Sequence, residues 1–175
     1  MGITRKQYKN FLNKEIHTKN VFKIINNPSY HSIYLIRKAQ YYYGKNVFLK
    51  ILSKKIVIHL QKTYGIFIHP ETQIGIGLKL PHPNGIIIGK TVSIGENCTI
   101  YQQVTIGSSN IGDYKLGKQP KLKDDIVLFA GSKIIGDIVV ESGTTVGANA
   151  VLTKNTEKKG IYAGVPAKLI KLQKS

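Results

Sequence analysis

Across residues 68–152 the aliphatic positions recur every sixth residue, which fits neither the 3.6-residue turn of a helix nor the two-residue alternation of a flat sheet. The series runs Ile68, Ile74 and Leu80, steps to Ile88, and continues through Ile94, Ile100 and Ile106. It resumes as Leu116, Leu122, Leu128, Ile134, Val140, Val146 and Leu152. Four residues after most of these stands a second small or apolar residue: Thr72, Leu78, Val92, Cys98, Val104, Ile126, Ser132, Ile138, Thr144 and Ala150. A six-residue unit makes one short strand and a turn. Three units close a triangular coil whose inward residues stack on those of the next coil, about 4.8 Å away. The pattern predicts a mainly β chain, a parallel β-helix of hexapeptide repeats with Gly75, Gly77, Gly89, Gly95 and Gly147 at tight corners.

Before the coils the spacing is helical. Tyr8, Phe11, Leu12, Ile16 and the cluster 21–25 predict one helix over 8–25, and Asn27-Pro28 breaks it. A second helix is predicted over 29–43, ended by Gly44. A third, over 46–62, carries Val47, Phe48, Ile51, Leu52, Ile56 and Leu60 on one side and Lys50, Lys54, Lys55 and Lys62 largely off it. The expected organisation is a helical basic cap (residues 1–64), a β-helix (65–160) with a loop at 107–118, and a C-terminal tail (161–175).

Charge sharpens this division. Of the 26 Lys and Arg residues behind the net charge of +17, half lie in residues 1–66, where Glu15 is the sole carboxylate. Such a basic cap fits a solvated face, an anionic membrane or lipid-linked surface, or nucleic acid. The last lacks any accompanying binding motif, so no nucleic-acid partner is expected. Tyr41, Tyr42 and Tyr43, at a helix end, suit packing better than base stacking. The single cysteine, Cys98, falls on an inward position and reads as inert core. The opening residues lack an apolar signal core, no stretch of about 18 apolar residues spans a bilayer, and Lys6 breaks a myristoylation pattern, so a cytoplasmic chain is expected. Within the repeats only His69 and His82 offer imidazole, too few for a zinc site, and no metal is expected. Neither a phosphate-cradling Gly-x-x-x-x-Gly-Lys loop nor a dinucleotide Gly-x-Gly-x-x-Gly is found.

Five stretches carry a resemblance to the hexapeptide-repeat acyltransferases, within them to the serine acetyltransferase branch: Gly-Ile-Phe-Ile-His-Pro (65–70), Leu-Pro-His-Pro-Asn-Gly-Ile-Ile-Ile-Gly (80–89), Ile-Tyr-Gln-Gln-Val-Thr-Ile-Gly (100–107), Phe-Ala-Gly-Ser-Lys-Ile-Ile-Gly (129–136) and Ala-Gly-Val-Pro-Ala-Lys-Leu-Ile (163–170). The resemblance implies left-handed winding of the coil, acetyl transfer from acetyl-CoA to a hydroxyl, His82 as general base, and a homotrimer with sites between subunits. His69 is read as structural. Ala130 and Ala148 fall where the family brings the pantetheine arm close to backbone, and Lys154 and Lys168 where cations meet coenzyme A phosphates.

Three departures concern the acceptor. Pro81 stands where the serine enzymes have Asp before the catalytic His, Phe67 where they have the Asp that orients it, and Lys118-Gln119-Pro120-Lys121 where they have Arg-His-Pro-Lys. Phe67, Pro81 and Gln119 are therefore the candidate substrate-contacting positions, and their loss of charge argues against free serine. The short N-terminal segment, with Asn-Pro-Ser-Tyr at 27–30, looks like the short acetyltransferases of surface polysaccharides. The expected acceptor is a surface polysaccharide or its sugar precursor, reached by peripheral contact at the inner membrane face. Serine is the alternative acceptor, and a catalytically silent β-helix that binds membrane or polyanion is the other alternative.

Overall fold

The computed structural model describes residues 2–173; Met1 of the cap and Lys174 and Ser175 of the tail lie outside the described residues. The chain opens with four helices, α1 (Arg5–Glu15), α2 (Val21–Asn26), α3 (Pro28–Tyr43) and α4 (Val47–Tyr64). Each has its own N-cap. Thr4 and Gln7 form a reciprocal capping box at α1, and Asn20, Asn27 and Asn46 accept from backbone N–H groups of the helices that follow them. The single helix expected over 8–25 is thus two. The backbone turns extended at Ile16 (φ −120°, ψ 103°), which delivers both Glu15 and Ile16 into the interior before Asn20 starts the next helix. Gly65, at φ 62°, ends α4 in the left-handed conformation.

From there the chain forms thirteen short strands among the described residues. They are β1 (Gln73–Ile74), β2 (Ile87–Ile88), β3 (Ser93–Ile94), β4 (Thr99–Ile100), β5 (Thr105–Gly107), β6 (Lys121–Leu122), β7 (Val127–Leu128), β8 (Lys133–Ile135), β9 (Val139–Val140), β10 (Thr145–Val146), β11 (Val151–Leu152), β12 (Gly160–Ala163) and β13 (Lys168–Leu172). Strands β2 to β11 visit three sheets in strict rotation, ordered β1-β3-β6-β9, β4-β7-β10-β12-β13 and β2-β5-β8-β11. Pairing is parallel throughout except between β12 and β13. Bridges from Phe67 to Ile87 and from Lys79 to Thr99 extend two sheets down to the first coil.

In-register stacking puts Ile88 under Ile106 and Ile106 under Ile134, so the hexad residues form continuous buried columns. Leu116 is the exception. It lies 71% exposed in a 3-10 turn (Asp113–Leu116), because the chain leaves the coil after β5 and rejoins it at β6, and the six-residue count ran on through that excursion. Gly75 and Gly95 have no positive φ; they serve clearance, since a Cβ on either would stand 2.6 Å from a backbone carbon of the coil above. The left-handed corners are held instead by two columns, one of Gly77, Asn97, Asp125, Gly143 and Lys159, the other of Gly65, Gly85, Gln103, Gly131 and Asn149.

The cap is fastened to the first coil by one buried ion pair. Arg37 on α3 donates to both carboxylate oxygens of Glu15, at 2.9 and 2.5 Å, and to the carbonyls of Ile74 (3.0 Å) and Gly75 (2.6 Å). Glu15 also accepts from the N–H groups of Gly77 and Leu78, at 3.0 and 3.1 Å, and Gln40 donates to the Thr72 carbonyl. At the far end, residues 155–167 run across the last coil. Asn155 and Thr156 bond backbone of the sheet that holds β9, Gly164 and Ala167 bond Val151 of β11, and β13 covers β12.

Helix α4 departs from expectation. Its buried residues are Ser53, Ile56 and Leu60, packed toward α3, whereas Val47, Phe48 (75% exposed), Ile51 and Ile58 face outward among Lys54, Lys55 and Lys62. The apolar residues circle more of the helix than one packing stripe can cover.

Candidate active site

His82 sits on the turn between the buried residues Leu80 and Ile86, where the chain crosses from one sheet to the next. Cap and coil hold this turn at both ends. The Ser29 hydroxyl on α3 donates to the Pro81 carbonyl at 3.0 Å, and the Gly85 N–H donates to the Tyr64 carbonyl at the end of α4 at 2.9 Å. Within the turn Asn84 N–H donates to the His82 carbonyl, and the Asn84 carbonyl accepts from Gln103 on the coil above. The His82 ring is exposed and lies 6.0 Å from Tyr101, which stacks at 5.1 Å on Phe129 one coil further. An aromatic column thus runs along this corner of the coil.

Phe67, half exposed, pairs through its backbone with Ile86 and Ile88 and belongs to the sheet that holds β2. Gln119 is only 4% exposed, and both ends of its amide are engaged. The oxygen accepts from the Thr91 N–H (2.9 Å) and hydroxyl (3.0 Å), and the amide nitrogen donates to the Ser108 hydroxyl at 3.0 Å. Gln119 therefore ties the base of the 107–118 loop to the preceding coil. His69 accepts from the Glu71 N–H at 3.2 Å and meets Tyr43 edge to face at 5.5 Å. Burial, with help from Lys90, moves its pKa below the usual imidazole value, and the opposing Glu71 carboxylate at 3.5 Å does not outweigh them.

No protein-family model matches the chain. Serine acetyltransferases of Staphylococcus epidermidis and Staphylococcus aureus are 36% identical to it over 123 residues, a match that covers 70% of this chain and 57% of each relative. Among solved structures, a serine acetyltransferase in complex with CoA matches 81% of this chain and 56% of its own, at TM-score 0.70 and 30% identity. The serine acetyltransferase of Brucella abortus matches 97% of this chain and 71% of its own, at TM-score 0.80 and 25% identity. These likenesses support the hexapeptide-repeat acyltransferase superfamily for this chain, on its serine acetyltransferase-like branch. The chain spans less than two thirds of the length of the curated relatives it matches.

For a serine acetyltransferase-like chain, the remaining candidate positions fall at the upper coils. Ala130 and Ala148 follow β7 and β10 on neighbouring coils, linked through the Asn149 N–H donating to the Ala130 carbonyl at 2.9 Å. Both are at least partly open to solvent, and small side chains there leave the backbone approachable. Lys154 follows β11 and Lys168 opens β13, both exposed. No cluster of three or more metal-ligating side chains occurs among the described residues, and none of their helices is long and apolar enough to cross a membrane. Sequence reasoning overlooked what the cap contributes to the His82 turn, the Ser29 hydroxyl on Pro81 and the Tyr64 carbonyl on Gly85, and beside them the His31 Nδ1 that lies 2.9 Å from the Tyr64 hydroxyl. Their proximity depends on α3 packing against α4, which no motif spacing encodes.

Proposed function

We propose that this chain transfers an acetyl group from acetyl-CoA to a hydroxyl, with His82 as the general base. The observation that carries the proposal is the exposed His82 ring on a turn tied at both ends, at the foot of the aromatic column of Tyr101 and Phe129. An alcohol is a weak nucleophile at neutral pH, and an imidazole that takes its proton as the oxygen attacks overcomes that weakness. The ester C–O bond forms as the thioester C–S bond breaks, and the proton passes by way of His82 to the departing thiolate of coenzyme A. Ala130 and Ala148 would let the pantetheine arm approach backbone, and Lys154 and Lys168 would meet its phosphates. Left-handed winding, the division at residues 1–64, 65–160 and 161–175, a homotrimer with shared sites, and a cytoplasmic place at the inner membrane face belong to the same proposal.

The names of the relatives favour serine as acceptor over the surface glycan expected from the sequence. A second reading, the glycan, is favoured by the chemistry around His82. Phe67 and Pro81 offer no carboxylate to an α-amino group, and the Gln119 amide is spent inside the loop base. Release of coenzyme A thiol from acetyl-CoA, followed with serine, homoserine, nucleotide sugars and deacetylated polysaccharide, tests the proposal. Turnover with any of these hydroxyl acceptors supports it. Serine turned over at about 10 per second with a sub-millimolar KM removes the glycan reading. No release with any acceptor removes acetyl transfer and leaves a coil that binds membrane or polyanion through its cap.

A further inference from the structure

The hexad step lengthens to eight between Leu80 and Ile88, and His82 lies in the surplus. Strand pairing aligns Lys79 with Thr99 and Val127, and Ile87 with Thr105, so the turns at 81–85, 101–103 and 129–131 share one corner of three successive coils. The first turn is therefore longer than the other two, and it carries an exposed His82. Its backbone has little freedom left. Pro81 has a fixed φ, the buried Pro83 confines His82 to extended conformations, and the bonds from Ser29, to Tyr64 and from Gln103 hold the turn. The imidazole is held differently. Among the described residues none hydrogen-bonds either ring nitrogen, and neither Phe67 nor Pro81 offers a carboxylate. What stands beside the ring is Tyr101, at 6.0 Å between centroids and an interplanar angle of 51°. Tyr101 is itself fixed, by its N–H on the Leu128 carbonyl (3.0 Å) and by stacking on Phe129 at 5.1 Å and 24°. Gln103, in the same turn, donates its N–H to the Asn84 carbonyl and accepts from the Lys133 Nζ at 2.6 Å.

We propose that Tyr101, backed by Phe129, is the positioning residue of His82, its ring setting the orientation in which the imidazole meets an acceptor hydroxyl. This rests on the reading of His82 as general base. A histidine on a fixed backbone keeps two free torsions, and a base that samples unproductive poses loses rate. A ring packed beside it narrows both torsions, and the tilt and spacing seen here fall in the range that aromatic pairs favour. A carboxylate orients an imidazole by binding one N–H. An aromatic neighbour orients it by shape, so the function resides in the Tyr101 ring rather than in its hydroxyl.

Tyr101→Leu, Tyr101→Phe and Phe129→Leu in the full chain test this by two measurements. One is coenzyme A thiol release with an acceptor that the unaltered chain turns over. The other is proton–carbon NMR of chain labelled at histidine, with His82→Ala to identify the His82 ring signals. In Tyr101→Leu the lost ring current should displace the His82 signals and leave those of the other histidines in place. The same variant should lower kcat by about 10- to 100-fold at an unchanged acetyl-CoA KM, the split expected of a misplaced base. Tyr101→Phe, which keeps the ring, should restore kcat to within about 2-fold, and Phe129→Leu, which loosens the stack from the far side, should lower it by about 2- to 10-fold. Full turnover in Tyr101→Leu, unmoved His82 signals in it, or a loss in Tyr101→Phe as large as in Tyr101→Leu overturns the proposal. The two readings fail separately. Full turnover in Tyr101→Leu removes the positioning and leaves acetyl transfer. No thiol release from the unaltered chain with any acceptor removes acetyl transfer, and the His82 signals then decide alone whether Tyr101 orients the ring.

Discussion

Glu15 is taken out of water together with Arg37, and the pair persists because every charged atom has a partner: two nitrogens on the carboxylate, two backbone N–H groups beside them, and two carbonyls for the guanidinium. Removing one partner strands the other in a dry site. Arg37→Ala should cost about 3–5 kcal/mol in denaturant unfolding. Glu15→Leu with Arg37→Met should recover only part of that loss, since the Gly77 and Leu78 N–H groups stay unpaired. Cys98 presents the opposite case of a polarisable atom made inert. Burial pushes its thiol pKa up to about 11, so the native chain should resist a thiol reagent at pH 8 that labels it fully once unfolded. At His82 the expectation is kinetic: His82→Ala should lower kcat by about 100- to 10,000-fold while coenzyme A affinity holds, with His69→Ala as a control that affects stability more than turnover.

Among the elements, the coils were legible and the helices only partly so. Inward residues of a hexad repeat have one possible neighbour, the next coil, so local spacing specifies long-range contact and the buried columns could be read off directly. Leu116 shows the limit, because a period counted through an excursion keeps its arithmetic and loses its meaning. A helix offers no such certainty: the break at Ile16 and the outward turn of Val47, Phe48 and Ile51 depend on what α1 and α4 pack against. The one sequence signal that was available and passed over is the solitary carboxylate in a basic segment. The α4 surface leads to a test at the same scale. If it lies on an anionic bilayer, co-sedimentation with phosphatidylserine vesicles should fall steeply as salt shortens the Debye length below about 10 Å, and Phe48→Ser should weaken it at any salt. Binding that ignores both changes would assign the face to water.

For the molecule as a whole, acid is the condition to vary. Burial holds the pKa of His31 and of His69 below the usual imidazole value of 6.5, so the unfolded chain binds more protons as pH falls through that value. Their contribution to stability is present above about 6.5 and is lost as pH falls through their lower folded values. The melting temperature should therefore hold from pH 8 to 7 and decline from pH 6.5 to 5, and the double variant His31→Asn, His69→Asn should flatten that decline in calorimetry. The two closures of the coil have a consequence of another kind. A stack of parallel strands is a template, and an open rung at either end would recruit another chain as readily as its own next turn. Arg37, Gln40 and Glu15 occupy backbone groups of the first rung, and residues 155–167 with the antiparallel, lysine-bearing β13 occupy the last. The chain is a fibre of fixed length, stopped at both ends by its own sequence.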